Sequence, residues 1–502
     1  MNREIPEIGG WKLVVQSLFE RLGSPKKNPL KLAFLTIASA VIALPLAAAE
    51  HPAAVSTKDD LVSRGQYLSV AADCAACHTD PAGGQPFAGG YAIQSPMGKI
   101  FSTNITPSKQ FGIGNYSRDE FAKAVREGVR ADGGHLYPAM PYASYSMLTD
   151  ADIDALYAYF MKAVKPVEKA SPETKLPFPF NVRASMIGWN ALFLGKDRFT
   201  ADKAKDDQWN RGKYLVEGLA HCAECHTPRN ALMAPNQSAA FAGGQVGSWY
   251  APNITSDKLS GIGGWTDEEL FSYLKTGKAG DKSRAAGPMA EAVEHSFQHL
   301  SDDDIKAMVA YLRTVPAIRD AGQTEANFVH GTAGTDVLKL RGVRKLTHEI
   351  TDMSDGAQLY IAACASCHQP DGLGTKDKFY PALVNNTTTG QPNPTDLIAA
   401  ILFGVKREVG GRETLMPGFG ADSLVQRLSD EQVAAIANHV LQQFGNKQAK
   451  VTPADVATVR AGGPTPLIAW LANPFVLGVI GLVGLGVIVA AFRFIRRRKQ
   501  AR

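Results

Sequence analysis

No glycine-rich phosphate loop interrupts this 502-residue chain. Neither a GxGxxG between a strand and a helix nor a Walker loop occurs, which excludes a nucleotide-binding enzyme. Strong net charge is lacking as well. The formal +5 comes from the ends: residues 1–49 hold six Lys/Arg and three Glu, and residues 493–502 hold six Lys/Arg and no acid. The residues between carry 41 basic and 45 acidic side chains, a net of −4, so no basic face is offered to nucleic acid. Cysteine is scarce. All six stand inside one repeated motif, which leaves none for a structural disulfide or a separate thiol centre.

Long apolar runs are confined to the two ends, and both read as membrane signals. Lys26, Lys27 and Lys31 lead into Leu32–Ala49, which finishes in small residues before Glu50-His51-Pro52. This is the pattern of a secretory signal over residues 1–49, with an uncleaved signal anchor as the other reading. Pro474–Phe492 carries no charge, and with a lead-in from Pro466 it has the length to cross about 30 Å of hydrocarbon. Arg493, Arg496, Arg497, Arg498 and Lys499 follow, which puts the C-terminus in the cytoplasm. The alternative is a buried core helix. The expectation is a body on the periplasmic side of the cytoplasmic membrane, anchored by a transmembrane helix within residues 466–502.

Between the ends the chain repeats itself three times. Cys74-Ala75-Ala76-Cys77-His78, Cys222-Ala223-Glu224-Cys225-His226 and Cys364-Ala365-Ser366-Cys367-His368 are the anchors. Arg64-Gly65-Gln66-Tyr67-Leu68 precedes the first and Arg211-Gly212-Lys213-Tyr214-Leu215 the second, with a looser Gly356-Ala357-Gln358-Leu359-Tyr360 before the third. Downstream, Phe-Ala-Gly-Gly recurs at 87 and 241, Asn-Ile-Thr at 104 and 253, and Gly-Ile-Gly at 112 and 261. Ser117-x-x-Glu120 and Thr266-x-x-Glu269 predict capping boxes that open a helix. Each repeat then closes with a helix capped by Thr149, Ser301 or Ser429, with apolar residues at i, i+3, i+4. The expected organisation is mainly α: domains at 50–170, 207–316 and 353–446, with linkers at 171–206, 317–352 and 447–465. The proline-rich Lys165–Phe180 is expected to run extended. Met186–Leu194 is apolar, to be packed between domains or against a partner.

Three chemistries suit a Cys-x-x-Cys-His. Zinc wants four ligands from paired half-sites, and only the second motif has a leading histidine. His221 therefore reads as a residue beside the bound group or, preferably, as a surface side chain. A thioredoxin-like motif expects one copy in a βαβ unit, whereas here there are three in helical surroundings. Attachment of haem c remains: the thiols of Cys74, Cys77, Cys222, Cys225, Cys364 and Cys367 add to the porphyrin vinyl groups, and His78, His226 and His368 lie beneath the iron. For the sixth ligand the repeats offer Met140, Met289 and Met416, at matched positions before each closing helix. Met147 competes with Met140 but abuts a helix cap. The other reading of any lone methionine is core filling. A His/Met pair leaves no open site, so each iron passes single electrons.

The stretches "STNITP", "GIGNYS", "AVREGV", "YPAMPY" and "LYAYFMKAV" extend the reading, because the chain resembles the tri-haem cytochrome c subunit of membrane-bound, quinone-linked dehydrogenases. These act on alcohol, gluconate, sorbitol, fructose or aldehyde. The resemblance covers nearly all of residues 59–445. It implies three tandem cytochrome c domains and three covalent haems c. It also implies a dehydrogenase partner with a flavin, pyrroloquinoline quinone or molybdenum cofactor, with or without a small third subunit, and ubiquinone in the membrane as acceptor. The chain is then an electron-transfer subunit and not an enzyme on its own. A cytochrome feeding a terminal oxidase is one alternative, and a haem enzyme such as a peroxidase is another.

Overall fold

The computed structural model describes residues 58–334 and 353–479, together with 482 and 486. The expected signal at 1–49, the second half of the second linker and the basic tail lie outside the described residues. The described residues fall within one compact unit that begins at Lys58.

Each repeat is built on a crossing between its opening and closing helices: Lys58–Ala71 on Asp150–Lys162, Asp207–Lys213 on Asp302–Leu312, and Gly356–Ala363 on Asp430–Phe444. One glycine makes each crossing close. A Cβ on Gly65 would stand 1.9 Å from the Ala155 carbonyl oxygen, on Gly212 1.9 Å from that of Ala307, and on Gly356 2.2 Å from that of Ala435. The glycine of the upstream motif is therefore the contact point between backbones.

The caps form where the sequence puts them. Ser117 with Glu120, Thr266 with Glu269 and Ser429 with Gln432 make complete capping boxes, and the Thr149 and Ser301 side chains accept from the third backbone N–H. Each cap stabilises by about 1 kcal/mol. Strands are short: among the described residues they form four antiparallel two-stranded pairs.

Two cores hold the molecule. The first two repeats share one, in which Leu68, Leu148, Ile153 and Phe160 pack with Leu215, Leu219, Leu300, Ile305 and Met308. The third repeat has its own, around Leu359, Tyr360, Leu402, Ile436 and Phe444. Burial is worth about 2 kcal/mol per large apolar side chain. It outweighs exposed ion pairs on the same elements, such as Arg118–Asp154, at about 0.5 kcal/mol.

The proline-rich Lys165–Phe180 runs back over its own repeat without helix or strand. The Asn104 side chain donates to the Val167 and Lys169 carbonyls, and Thr174 accepts from Phe101 N–H. Met186–Leu194 forms the helix Ser185–Phe193. Its Trp189 packs with Tyr142 of the first repeat and Ala234 of the second, while Ile187 and Leu192 stay exposed.

The C-terminal expectation is corrected. Among the described residues no helix is long and apolar enough to cross a membrane. Leu467–Ala472 is a 3-10 stretch, and Asn473 is extended (φ −75°, ψ 120°) ahead of Pro474, where residues 474–479 turn helical. A proline ring disfavours helical backbone in the residue before it, so the two pieces do not join. Residues 480, 481, 483–485 and 487–492 of the apolar run lie outside the described residues. The C-terminal transmembrane helix is not supported, and neither is the placement on the periplasmic side of the cytoplasmic membrane that rested on it.

Candidate functional site

Each Cys-x-x-Cys-His motif folds as a short helical turn directly after the opening helix: Cys74–His78, Ala223–His226 and Ala365–His368. The backbone turns out of the opening helix through Asp73 (φ 51°) in the first repeat and His221 (φ 40°) in the second. All six thiols are free and half-buried. Burial pushes Cys74, Cys77, Cys222 and Cys364 up to about 12 and Cys225 up to about 11. These five are held as neutral thiols. Among the described residues, no group of three or more His, Cys, Asp or Glu side chains converges as a metal site. The zinc reading of the second motif finds no ligand set.

The three histidines are held alike. His78 Nδ1 pairs with the Thr103 carbonyl at 2.7 Å, His226 Nδ1 with that of Pro252 at 2.6 Å, and His368 Nδ1 with that of Pro381 at 3.0 Å. The carbonyl accepts a hydrogen bond from Nδ1–H, which keeps the proton there and leaves Nε2 with its lone pair, the tautomer a metal ligand needs. Burial lowers the basicity of all three, which favours the neutral ring. Glycines fix the motif's own end: Gly89, Gly243 and Gly374 N–H donate to the carbonyls of His78, His226 and His368 at 2.8, 2.8 and 3.0 Å.

What holds the accepting carbonyls escaped the sequence reading. Thr103 precedes Asn104, and Pro252 precedes Asn253. Asn104 Oδ1 accepts from Thr106 N–H (2.9 Å) and Oγ1–H (2.7 Å), and Asn253 Oδ1 from Thr255 N–H (2.9 Å) and Oγ1–H (2.7 Å). Their amides donate to Val167 and Lys169, or to Ile318, at the end of the same repeat. Asn-Ile-Thr is a buried clasp that ties the histidine's acceptor to the chain after the closing helix. Its recurrence was the available signal.

Met140 is half-buried between the main core and the Trp189 cluster. Met289 sits in the first turn of Gly287–His295 against the main core, and Met416 ends the strand Arg412–Met416 opposite Val405. The competing Met147 turns its sulfur toward Gly218 of the second repeat, where an added Cβ would meet it at 3.2 Å, which is a packing position. His221 is not the surface residue expected. It is half-buried, its Nδ1 pairs with the Leu219 carbonyl at 2.9 Å, and its ring stands edge-on to Tyr145 at 5.7 Å. Paired free thiols and an imidazole with Nε2 available, three times over, fit a c-type haem.

Comparison with known proteins agrees. A family model described as cytochrome c matches residues 62–163, 210–316 and 353–444. The cytochrome subunit of fructose dehydrogenase from Gluconobacter japonicus is 56% identical over 458 residues, 90% of this chain and 94% of that one. The cytochrome c subunit of gluconate 2-dehydrogenase from Pantoea cypripedii is 41% identical over 415 residues, 80% of this chain and 90% of its own. The cytochrome c subunit of alcohol dehydrogenase (quinone) from Gluconobacter oxydans is 36% identical over 471 residues, 90% and 92%. With three matched domains and likeness along nearly its full length, the chain belongs to the cytochrome c family, among the cytochrome c subunits of quinone-linked dehydrogenases.

Proposed function

We propose that the chain is an electron-transfer subunit with three covalent haems c, which takes electrons from a dehydrogenase subunit and passes them to ubiquinone. The observation that carries this reading is the recurrence of one donor arrangement: two free thiols beside an imidazole whose Nδ1 is engaged by a backbone carbonyl. Cys74 and Cys77, Cys222 and Cys225, and Cys364 and Cys367 form the thioethers. His78, His226 and His368, with Met140, Met289 and Met416, would be the protein ligands of the three irons. When bound, such a group supplies a one-electron couple whose potential methionine raises.

The rest falls to the chain. Its clasps hold the His78 and His226 imidazoles in one orientation, its methionines close the sixth position, and its cores keep water away. A closed sixth position sets aside a peroxidase. One relative is named for quinone, and quinone, not a terminal oxidase, is the acceptor inferred here. The likeness to a fructose dehydrogenase subunit favours a sugar-oxidising partner.

Haem staining after denaturing electrophoresis tests the count, and reduced-minus-oxidised spectra test the ligation. Three covalent low-spin haems c per chain, with no carbon monoxide binding, are expected. A colourless polypeptide, or fewer than three attached groups, overturns the proposal. Met416→Ala should keep all three attached and make one reactive to carbon monoxide. Unaltered ligation in that variant would remove Met416 from this role.

A further inference from the structure

Arg407 is among the largest fully buried side chains, with 1% of its surface exposed. Its Nη1 donates to the Ala285 carbonyl, and its Nη2 has no partner. A guanidinium cannot shed its proton in a protein, and it presents donors in a planar fork shaped for a carboxylate. A buried charge left unpaired is strongly destabilising. Near it stand further cations, Lys278, Arg284 and Arg412, each close enough to be felt electrostatically within this group. The neighbouring carboxylate Glu294 is engaged elsewhere, accepting from Glu408 N–H at 3.1 Å. Cations outnumber the Glu294 carboxylate, whose charge still acts on Arg407, and the guanidinium's Nη2 is unused.

Its place in the fold says which anion belongs there. Arg407 comes from the third repeat, on the strand Val405–Val409 that pairs with Arg412–Met416. Yet it reaches into the second repeat: an added Cβ on Gly277 would lie 2.6 Å from its Nε, and its one acceptor, Ala285, stands four residues before Met289. That loop is the methionine side of the second site. The strand's own edge is fixed there, since Gly410 N–H donates to Gln298 of the second repeat and Gln298 donates to the Glu408 carbonyl. A guanidinium delivered across a repeat boundary into the loop before a proposed iron ligand needs a resident anion. A haem carries two carboxylates.

We propose that Arg407 pairs with a carboxylate of the haem held by Cys222, Cys225 and His226, so that the third repeat sets the charge environment of the second redox centre. This rests on the three-haem reading above, and the haem count separates a failure of that reading from a failure of this one.

The test is spectropotentiometry of the full-length holoprotein with Arg407→Met, which keeps the length and loses the charge, and with Arg407→Lys, which keeps the charge and loses the fork. The second haem's transition is identified by its displacement in Met289→His. With three haems retained, R407M should shift that transition alone to lower potential, moving its ferrous-to-ferric ratio at a fixed potential by about tenfold or more. R407K should recover most of the shift. Unmoved transitions in R407M, or movement of the third alone, overturn the proposal. Should R407M lose haem, Arg407→Gln decides, because it keeps a side-chain donor and loses the charge: displacement of the second transition to lower potential supports the pairing and its absence refutes it. In the wild type, replacing chloride by a bulky sulfonate at constant ionic strength should leave that transition in place. A chloride-dependent shift would assign the pocket to a solvent anion instead.

Discussion

The Tyr67 hydroxyl of the first repeat donates to Asp304 of the second at 2.6 Å. The gesture is returned, because Tyr214 of the second repeat donates to Asp152 of the first. Each aspartate is also held by the arginine of its own repeat, Asp152 by Arg64 Nε at 2.9 Å and Asp304 by Arg211 Nε at 2.8 Å. The Arg-Gly-x-Tyr-Leu motif thus has a division of labour. Arginine grips its own closing helix, glycine lets that helix approach, and tyrosine crosses to the other repeat. In the third repeat Asp355 and Gln358 stand where arginine and tyrosine would be. The exchange pairs the first two repeats alone, and those two share a core.

Tyr67→Phe and Tyr214→Phe each remove a hydrogen bond to a charged acceptor and should cost about 1–2 kcal/mol. Calorimetry is expected to show the loss in the transition of the first two repeats, with the third repeat's transition unmoved. An equal shift in both would mean that the two cores melt as one.

Gly212→Ala places a methyl 1.9 Å from the Ala307 carbonyl oxygen, and neither helix can retreat without opening the shared core. A loss of about 3 kcal/mol is expected. Gly188 lies in the exposed helix Ser185–Phe193 with nothing within 4 Å of an added Cβ. Gly188→Ala should therefore stabilise that helix by about 1 kcal/mol through propensity alone. Urea midpoints of the two variants should move in opposite directions.

This contrast shows how much of the molecule was legible in the sequence. Glycine at a fixed place before each Cys-x-x-Cys-His, and Ser or Thr ahead of each closing helix, are local signals with local causes, and crossings and caps stand there. The motif histidines were singled out by their thiol neighbours, and each stands with its Nδ1 on a backbone carbonyl. Asn104, Asn253 and Arg407 were not assigned, because their partners lie 60 or more residues away and no spacing rule connects them. His221 looked like a surface residue because its cover, Tyr145, comes from another repeat. The C-terminal run was read from its hydropathy, its length and the basic residues after it, and the described residues show no helix long and apolar enough to cross a membrane.

Asp396 carries a pH dependence of known sign. It accepts from Tyr250 N–H at 2.9 Å, and burial lifts its carboxyl to about 6, against an ordinary value of 3.8. The folded chain keeps the proton up to about pH 6, while the unfolded chain releases it near 4. Stability therefore falls as pH rises between those values and stays lower above them, by about 3 kcal/mol. Asp396→Asn should raise the urea midpoint at pH 7, leave it nearly unchanged at pH 4, and flatten the profile between. An equal gain at both pH values would locate the effect in packing rather than ionisation.

The Asn-Ile-Thr clasps yield the sharpest test of how the fold acts on the irons. The carbonyl that engages His78 Nδ1 is one residue before Asn104, and the one that engages His226 Nδ1 is one residue before Asn253. Asn104→Ala leaves Thr106 N–H and the Val167 and Lys169 carbonyls without their side-chain partner, in a site where Asn104 is 3% and Thr106 0% exposed. The expected cost is about 2–3 kcal/mol. A carbonyl that drifts also weakens its pull on the imidazole proton, so the ring becomes a poorer donor to ferric iron. The first haem's potential should rise while the other two stay in place, and Asn253→Ala should do the same to the second haem alone. If Asn104→Ala lowers stability but leaves all three potentials where they were, the clasp serves the fold without reaching the metal.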